Sequence, residues 1–164
     1  MKAQFFASQP DVEQPLELSL ALTRQMERSS DCSIRVSLHR LVNQLLADLQ
    51  PQAMKRNNVI LNGISQDLSI DTDENQLAYV LWNLINSAVI STRKECIHIV
   101  ALERGDRMMI CLKDVGSCFY RTISHEYRKV QDAAEKLGGS ISINNDATYG
   151  SNISFSILHR RMAA

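Results

Sequence analysis

The residue types that most often bind metals or act as nucleophiles are cysteine and histidine, and this sequence has four of each. The cysteines form no C-x-x-C pair, and the histidines show no ligand spacing with them or with one another. We therefore predict reduced thiols and no structural metal, in a domain large enough to build its core without cross-links. The positions are Cys32, Cys96, Cys111, Cys118, His39, His98, His125 and His159.

Composition and charge exclude several other kinds of site. The chain has 164 residues, 45% of them hydrophobic, with 18 basic and 18 acidic side chains and an isoelectric point near 6.9. This balance lacks the basic surface that binding to nucleic acid or an anionic membrane needs. No run approaches the roughly 20 apolar residues of a membrane helix, and the first residues lack the apolar core of a signal peptide. We expect a cytoplasmic protein with neither nucleic acid nor membrane as a partner.

Three segments have the periodicity or composition of helices. Ser37 is a candidate N-cap for a helix whose apolar residues recur at i, i+3, i+4 and i+7. A second helix follows Asp73, which with Gln76 approximates a capping box. A third covers residues 123–137 and ends at a Gly-Gly pair. The apolar faces of the first two are Leu38, Leu41, Val42, Leu45, Leu46 and Leu49, and Leu77, Val80, Leu81, Leu84, Ile85 and Ala88.

Short apolar or alternating runs between these helices predict strands. One follows Asn57-Asn58, candidate left-handed residues at the end of the first helix, and another covers residues 66–72. Two hairpins follow, with turn signals at 104–107 and 147–150. This order predicts an α+β fold, a two-layer α/β sandwich with three helices on a mixed, largely antiparallel sheet. The expected shared core is Leu41, Leu45, Leu81, Leu84, Ile85, Ile99, Ile110 and Ile143.

The beginning of the chain carries weaker signals. Residues 1–12 are polar and predict a flexible terminus. In the next segment the alternating leucines from Leu16 to Leu22 fit a strand, whereas Leu18, Leu22 and Met26 fit a helix, which we favour. We therefore divide the chain into a flexible terminus (1–12), an N-terminal helical segment (13–35) and one folded domain (36–164).

Several motifs in the folded domain resemble those of the ATP-binding domain of sensor histidine kinases, which has the Bergerat fold of the GHKL superfamily. The second helix is similar to the family's N-box, with Asp73 and Asn83 in matching places. Asp114 and Gly116 match the first glycine box, D-x-G-x-G, and the Gly-Gly pair and last hairpin match the family's final motifs. The resemblance implies a Bergerat-type ATPase fold and a role in bacterial two-component signal transduction.

The sequence departs from the family pattern where nucleotide would bind. Ser87 stands in place of the N-box asparagine that holds magnesium, and Cys118 replaces the second glycine of the first glycine box. Glu126 lies where the second glycine box would cradle phosphates. The resemblance thus implies a degenerate site without a catalytic residue or metal; no cofactor is expected, and ATP and magnesium would bind only if the site still functions. The remnants of the site are Asn83, Ser87, Asp114 and Gly116.

Some of these residues also have an interpretation that involves no ligand. Asn83 flanks an apolar helical face and could simply be solvated or hydrogen-bonded, and Asp114 could end a strand and accept backbone N–H bonds. His125 is a candidate phosphoacceptor, but the residues around it lack the proline of the family's motif, and it lies after the N-box rather than before it. An exposed histidine at the start of a helix is common and needs no function. His39 lies off the apolar stripe of its helix and is expected to be exposed and idle.

Together these features favour a pseudokinase: a degenerate, non-ATP-binding histidine-kinase-like domain that acts as a protein-interaction adaptor or regulator. Its partner would be a response regulator or a sensor kinase. The alternative is an enzyme, a histidine phosphotransferase or a divergent sensor kinase component that passes phosphate to a response regulator. Because the family's dimerisation hairpin precedes its ATPase domain, residues 13–30 would mediate homodimer formation or partner docking. The alternative is that this segment folds back on its own domain as an extra strand or helix.

Overall fold

The computed structural model describes residues 33–113, 126–146 and 150–159 of the chain, which form three helices and seven strands. The sequence order of helices and strands is confirmed in this part of the chain, with one strand added at its beginning. In chain order the elements are β1 (Ile34–Ser37), α1 (Leu38–Lys55), β2 (Val59–Asn62), β3 (Ser69–Thr72), α2 (Glu74–Ser91), β4 (Cys96–Arg104), β5 (Arg107–Lys113), α3 (Tyr127–Lys136), β6 (Ser140–Asp146) and β7 (Gly150–Leu158).

The added strand is β1, and it corrects the predicted N-terminal helical segment 13–35 at its end. Ile34 and Arg35 are extended and pair with Thr72 and Asp71 of β3 in a separate two-stranded antiparallel sheet. Alternating β-branched side chains favour this conformation, but the partner strand lies far along the chain. The rest of the predicted helical segment lies outside the described residues.

Five strands form the main sheet, in the order β2-β4-β5-β7-β6. The β2–β4 pair is parallel, with Val59 opposite Cys96, and every other neighbouring pair in this sheet is antiparallel. Parallel neighbours need a crossover connection, and here the crossover contains β3 and α2. The predicted α+β sandwich, three helices on a mixed, largely antiparallel sheet, is therefore confirmed.

The core lies between the helices and one face of this sheet. Alternate residues of the central strands are fully buried, among them Ile97 and Ile99 of β4 and Ile110 of β5. All of the predicted core residues are buried except Ile143, which is only partly buried. Ile143 lies on β6, one of the two edge strands of the sheet, which has a neighbouring strand on one side only.

α1 begins directly after β1 and is closed at its end by asparagines. Ser37 occupies the predicted N-cap position. The prediction that its side chain caps the helix is wrong, because the side chain makes no capping hydrogen bond. The helix continues past Pro51 to Lys55. Asn57 is left-handed, with φ 56°, and the Asn57 and Asn58 N–H groups donate to carbonyls of the last helical turn.

Asn58 has a second role, because its buried side chain joins the end of α1 to the end of α2. Its Nδ2 donates to the Val89 carbonyl (3.0 Å), the Thr92 carbonyl (3.2 Å) and the Thr92 hydroxyl (2.9 Å), while its Oδ1 accepts from the Glu95 N–H (3.2 Å). The side chain thereby satisfies backbone groups that the end of a helix leaves without intrahelical partners.

α2 is the central helix of the layer, since both α1 and α3 pack against it. The carboxylate of Asp73 caps it by accepting from the Gln76 N–H at 3.1 Å, as the capping-box pattern predicts. Twelve of its eighteen residues are buried, on every side of the helix. In the described ranges, no helix has the length and apolar content needed to cross a membrane.

Candidate functional site

The remnants of the predicted site that the structure describes lie on α2. Asn83 and Ser87 are four residues apart, so they lie on the same side of the helix on successive turns. Their exposed fractions are only 7% and 8%. The other predicted site residues, Asp114, Gly116 and the candidate phosphoacceptor His125, lie outside the described residues.

The Asn83 side chain is held by its own helix. Its Nδ2 donates to the Tyr79 carbonyl at 2.8 Å, a bond that reaches back by one turn. This contact corresponds to the interpretation of Asn83 as a hydrogen-bonded residue rather than as a ligand. An amide turned toward the backbone in this way has one donor fewer to offer a ligand.

Tyr79 lies one turn before Asn83 and is electrostatically coupled to the start of α3. Burial raises the pKa of the Tyr79 hydroxyl above its ordinary value, and the nearby carboxylate of Glu126 raises it further. Glu126 occupies the N-cap position of α3 without a side-chain capping bond, and it pairs at 3.4 Å with the exposed Lys129. The N-terminus of α3 therefore carries a carboxylate close to the α2 surface that leads to Asn83.

Three buried polar atoms on α2 make no hydrogen bond within the described part of the chain, and one of them is Oε1 of Gln76. The other two are Nε1 of Trp82, a donor, and Oδ1 of Asn86, an acceptor, and their residues lie one turn apart. A donor and an acceptor in this relation can both be satisfied by one small polar molecule such as water. Sequence reasoning did not predict this pair, because helical spacing does not show which polar atoms of a buried helix lack a partner.

The described residues show no metal centre. They contain no group of three or more His, Cys, Asp or Glu side chains close enough to hold an ion. Cys96 and Cys111 are both free thiols, and Cys96 Sγ contacts His98 Nε2 at 3.4 Å. Two groups in this arrangement are fewer than the three or four protein ligands that zinc requires.

His39, predicted to be exposed and idle, instead fastens α1 to the loop after β2. It is half-buried, and its Nδ1 lies 2.7 Å from the Ile64 carbonyl. The Asn43 amide nitrogen lies 3.0 Å from Nε2, so both ring nitrogens have a hydrogen-bond partner. Nothing in these contacts resembles a phosphoacceptor, whose ring nitrogen must be accessible.

The architecture resembles that of several solved structures. The catalytic domain of histidine kinase ThkA in a nucleotide-free form has a TM-score of 0.63 and 17% identity, with 78% of this chain and 96% of that chain covered. The histidine kinase AdeS of Acinetobacter baumannii has a TM-score of 0.71 and 13% identity, over 94% of this chain and 88% of that one. The chain has the fold of a histidine kinase catalytic domain.

A third structure with this kinase fold belongs to a longer protein. Full-length ShkA, solved in complex with AMPPNP, has a TM-score of 0.65 and 17% identity, and the match covers 92% of this chain but 36% of ShkA. Comparison with protein-family models and with curated proteins gives no match. At these identities the likeness establishes the kinase fold, and the activity has to be argued from the residues of the site.

Proposed function

We propose that this chain is a degenerate histidine-kinase-like domain that does not bind ATP and acts through protein contact in two-component signalling, as an adaptor or regulator. The observation that carries the proposal is the position of Glu126. Its carboxylate stands at the N-terminus of α3 and close enough to α2 to influence Tyr79. In the family that this sequence resembles, the corresponding segment cradles the phosphates of ATP.

A helix N-terminus favours anions because its free N–H groups and dipole are positive. At α3 a carboxylate of the protein already occupies this position, and like charges close together destabilise each other. Lys129 neutralises Glu126 only in part, because the pair is exposed and water screens it. A triphosphate would therefore meet repulsion where the family provides attraction.

The groups on α2 also fit magnesium poorly. Magnesium is normally held by carboxylates together with phosphate oxygens and waters, in near-octahedral geometry. The position of the family's magnesium-binding asparagine carries the neutral hydroxyl of the buried Ser87. The Asn83 amide one turn away is bonded to the Tyr79 carbonyl. We infer that the described residues do not form a magnesium-nucleotide site.

The helix that carries Asn83 and Ser87 is held in place by contacts within the domain. α2 is packed on all sides by the chain's own residues, and its two ends are fastened by Asp73 and Asn58. Under this proposal the domain acts through its surface rather than through a bound nucleotide. Its partner would be a response regulator or a sensor kinase.

Thermal-shift titration of the full chain with Mg·ATP and Mg·ADP tests the loss of nucleotide binding. A ligand present at 100 times its dissociation constant stabilises by about 2.7 kcal/mol, which raises the melting temperature of a domain of this size by roughly 5–10 °C. We expect no rise at millimolar nucleotide. A saturable rise in the wild-type chain that Ser87→Ala abolishes would contradict the proposal.

A second experiment addresses the protein contact directly. Purified receiver domains of response regulators, labelled with a fluorophore, are titrated with the full chain with and without Mg·ATP. We expect binding that is independent of nucleotide and unchanged by Ser87→Ala. Binding that requires ATP, or phosphate transfer from radiolabelled ATP to a receiver domain, would favour the enzymatic alternative.

A further inference from the structure

The face of the main sheet that points away from the helices, here called the outer face, has two different halves. On β6 and β7 it presents mostly serines and asparagines, including Ser142, Ser154 and Ser156, with the exposed Leu158 at one end. On β2, β4 and β5 it is mainly apolar. The apolar side chains of this half surround one exposed polar residue, His98, and are Val59, Leu61, Cys96, Val100, Leu102, Met109 and Cys111.

The apolar half is exposed to a degree that ordinary surfaces avoid. Val59 is 54% exposed, Leu61 45% and Leu102 36%, and they lie on adjacent strands. Isolated apolar side chains on a surface need no explanation, but a contiguous patch usually marks a contact with another group. The contrast with the serine-rich half indicates that β2, β4 and β5 present a surface that something covers.

The charged side chains that stand on the outer face of β2, β4, β5 and β7 are basic, whereas the acidic Glu95 and Asp106 lie just beyond the ends of β4. Arg104 and Lys113 lie at opposite ends of the patch, and Arg107 is fixed beside it by its bond to the Ser156 hydroxyl at 2.6 Å. On β2, β4, β5 and β7 no acidic residue stands on the outer face, although the chain as a whole is neutral. The group that covers the patch should therefore be apolar and acidic.

The chain itself contains a segment of this composition. Residues 13–22 carry leucine at positions 16, 18, 20 and 22 together with Glu13 and Glu17. The sequence has no lysine or arginine between Lys2 and Arg24. The eleven residues from 23 to 33 that connect this segment to β1 can span roughly 36 Å when extended, which is comparable to the width of a domain.

We propose that residues 13–22 dock on the apolar half of the outer face of the same chain, where the negative charge of Glu13 and Glu17 is attracted by the basic side chains of that face. A short tether gives the segment an effective concentration near millimolar, so weak contacts suffice to keep it docked. Three cations contribute only about 3 kcal/mol to membrane binding, which does not hold a protein on a lipid surface. The proposal is independent of whether the chain binds nucleotide.

Alkylation of Cys96 and Cys111 in the full chain tests the docking. Both thiols are half-buried on the outer face, so a docked segment shields them, and mass spectrometry after treatment with N-ethylmaleimide separates them from the other two cysteines. In Leu18→Ser/Leu20→Ser we expect alkylation of both thiols to become about tenfold faster, which corresponds to about 1.4 kcal/mol of docking free energy. The control Gln14→Ser/Thr23→Ser should alkylate like the wild type.

A charge exchange keeps the test independent of folding defects. Glu13→Lys/Glu17→Lys and Arg104→Glu/Lys113→Glu should each accelerate alkylation. Their combination should restore protection, because the segment and the face again carry opposite charges. Equal rates in all variants would overturn the proposal. Protection that rises with protein concentration would mean that the segment docks on a second copy of the chain. Protection that appears only with phosphatidylserine vesicles would mean that a membrane covers the patch. Either result overturns docking within one chain.

Discussion

Replacing Asn58 with alanine should destabilise the domain more than any ordinary surface substitution. Its side chain is 95% buried and joins the ends of α1 and α2 to the start of β4. The substitution removes the bonds from Nδ2 to Val89 and Thr92 and the bond that Oδ1 accepts from Glu95. Alanine is too small to fill the site and has no polar atom to replace these contacts.

The size of the effect follows from the number of bonds. An amide has two donor hydrogens and an acceptor, so about three hydrogen bonds are lost, at roughly 1 kcal/mol each. Thr92 retains its own bond to the Ala88 carbonyl, and the Arg56 side chain still donates to the Thr92 carbonyl, which limits the loss. We therefore expect Asn58→Ala to lower the free energy of unfolding by about 2–4 kcal/mol.

Urea denaturation followed by the fluorescence of Trp82 measures this value, because the single tryptophan is 3% exposed in the folded chain. The matched control is Asn144→Ala on the exposed side of β6, which should change stability by less than about 0.5 kcal/mol. If Asn58→Ala and the control have equal urea midpoints, the side chain does not hold the two helices together and the reasoning fails.

Three further predictions use the same assay. Asp73→Ala removes the cap of α2 and should cost about 1 kcal/mol. Gly139→Ala would place a Cβ 2.6 Å from a carbonyl oxygen of β7 and should lower the free energy of unfolding by about 3 kcal/mol. Its control is Gly105→Ala, where φ is +61° and no atom lies within 4 Å of the added Cβ; it should lower the free energy of unfolding by only about 1 kcal/mol. Because the pKa of Tyr79 is raised, the folded chain keeps a proton that the unfolded chain releases above pH 10.0. The free energy of unfolding should therefore fall more steeply above pH 10.0 in the wild type than in Tyr79→Phe. Parallel curves for the two proteins would refute this.

The regular elements of the fold could be predicted because local patterns determine them. The leucines of α1 and the apolar face of α2 follow helical spacing, and the turn at Gly105 separates two runs of strand-forming residues. β1 could not be predicted in this way, since four residues carry little signal and its conformation depends on pairing with β3. Ile143 was assigned to the core because its spacing does not reveal that β6 is an edge strand.

The site could be predicted only where one helix determines it. The spacing of Asn83 and Ser87 places both on one side of α2, and their burial follows from the packing of that helix. The sequence could not predict that Glu126 lies near Tyr79, because this depends on how α3 packs on α2. The role of His39 was missed because its partner, the Ile64 carbonyl, belongs to a loop whose position no periodicity describes.

The parallel pairing of β2 with β4 has a consequence for the order in which the chain folds. The hairpins β4–β5 and β6–β7 join strands that are neighbours in sequence, but β2 reaches β4 only after β3 and α2 have been placed between them. Contacts between distant parts of a chain form slowly, because closing a long loop costs conformational entropy. β2 should therefore join the sheet late, and a partly folded chain would leave the adjacent edge of β4 unpaired and open to association with other chains during synthesis.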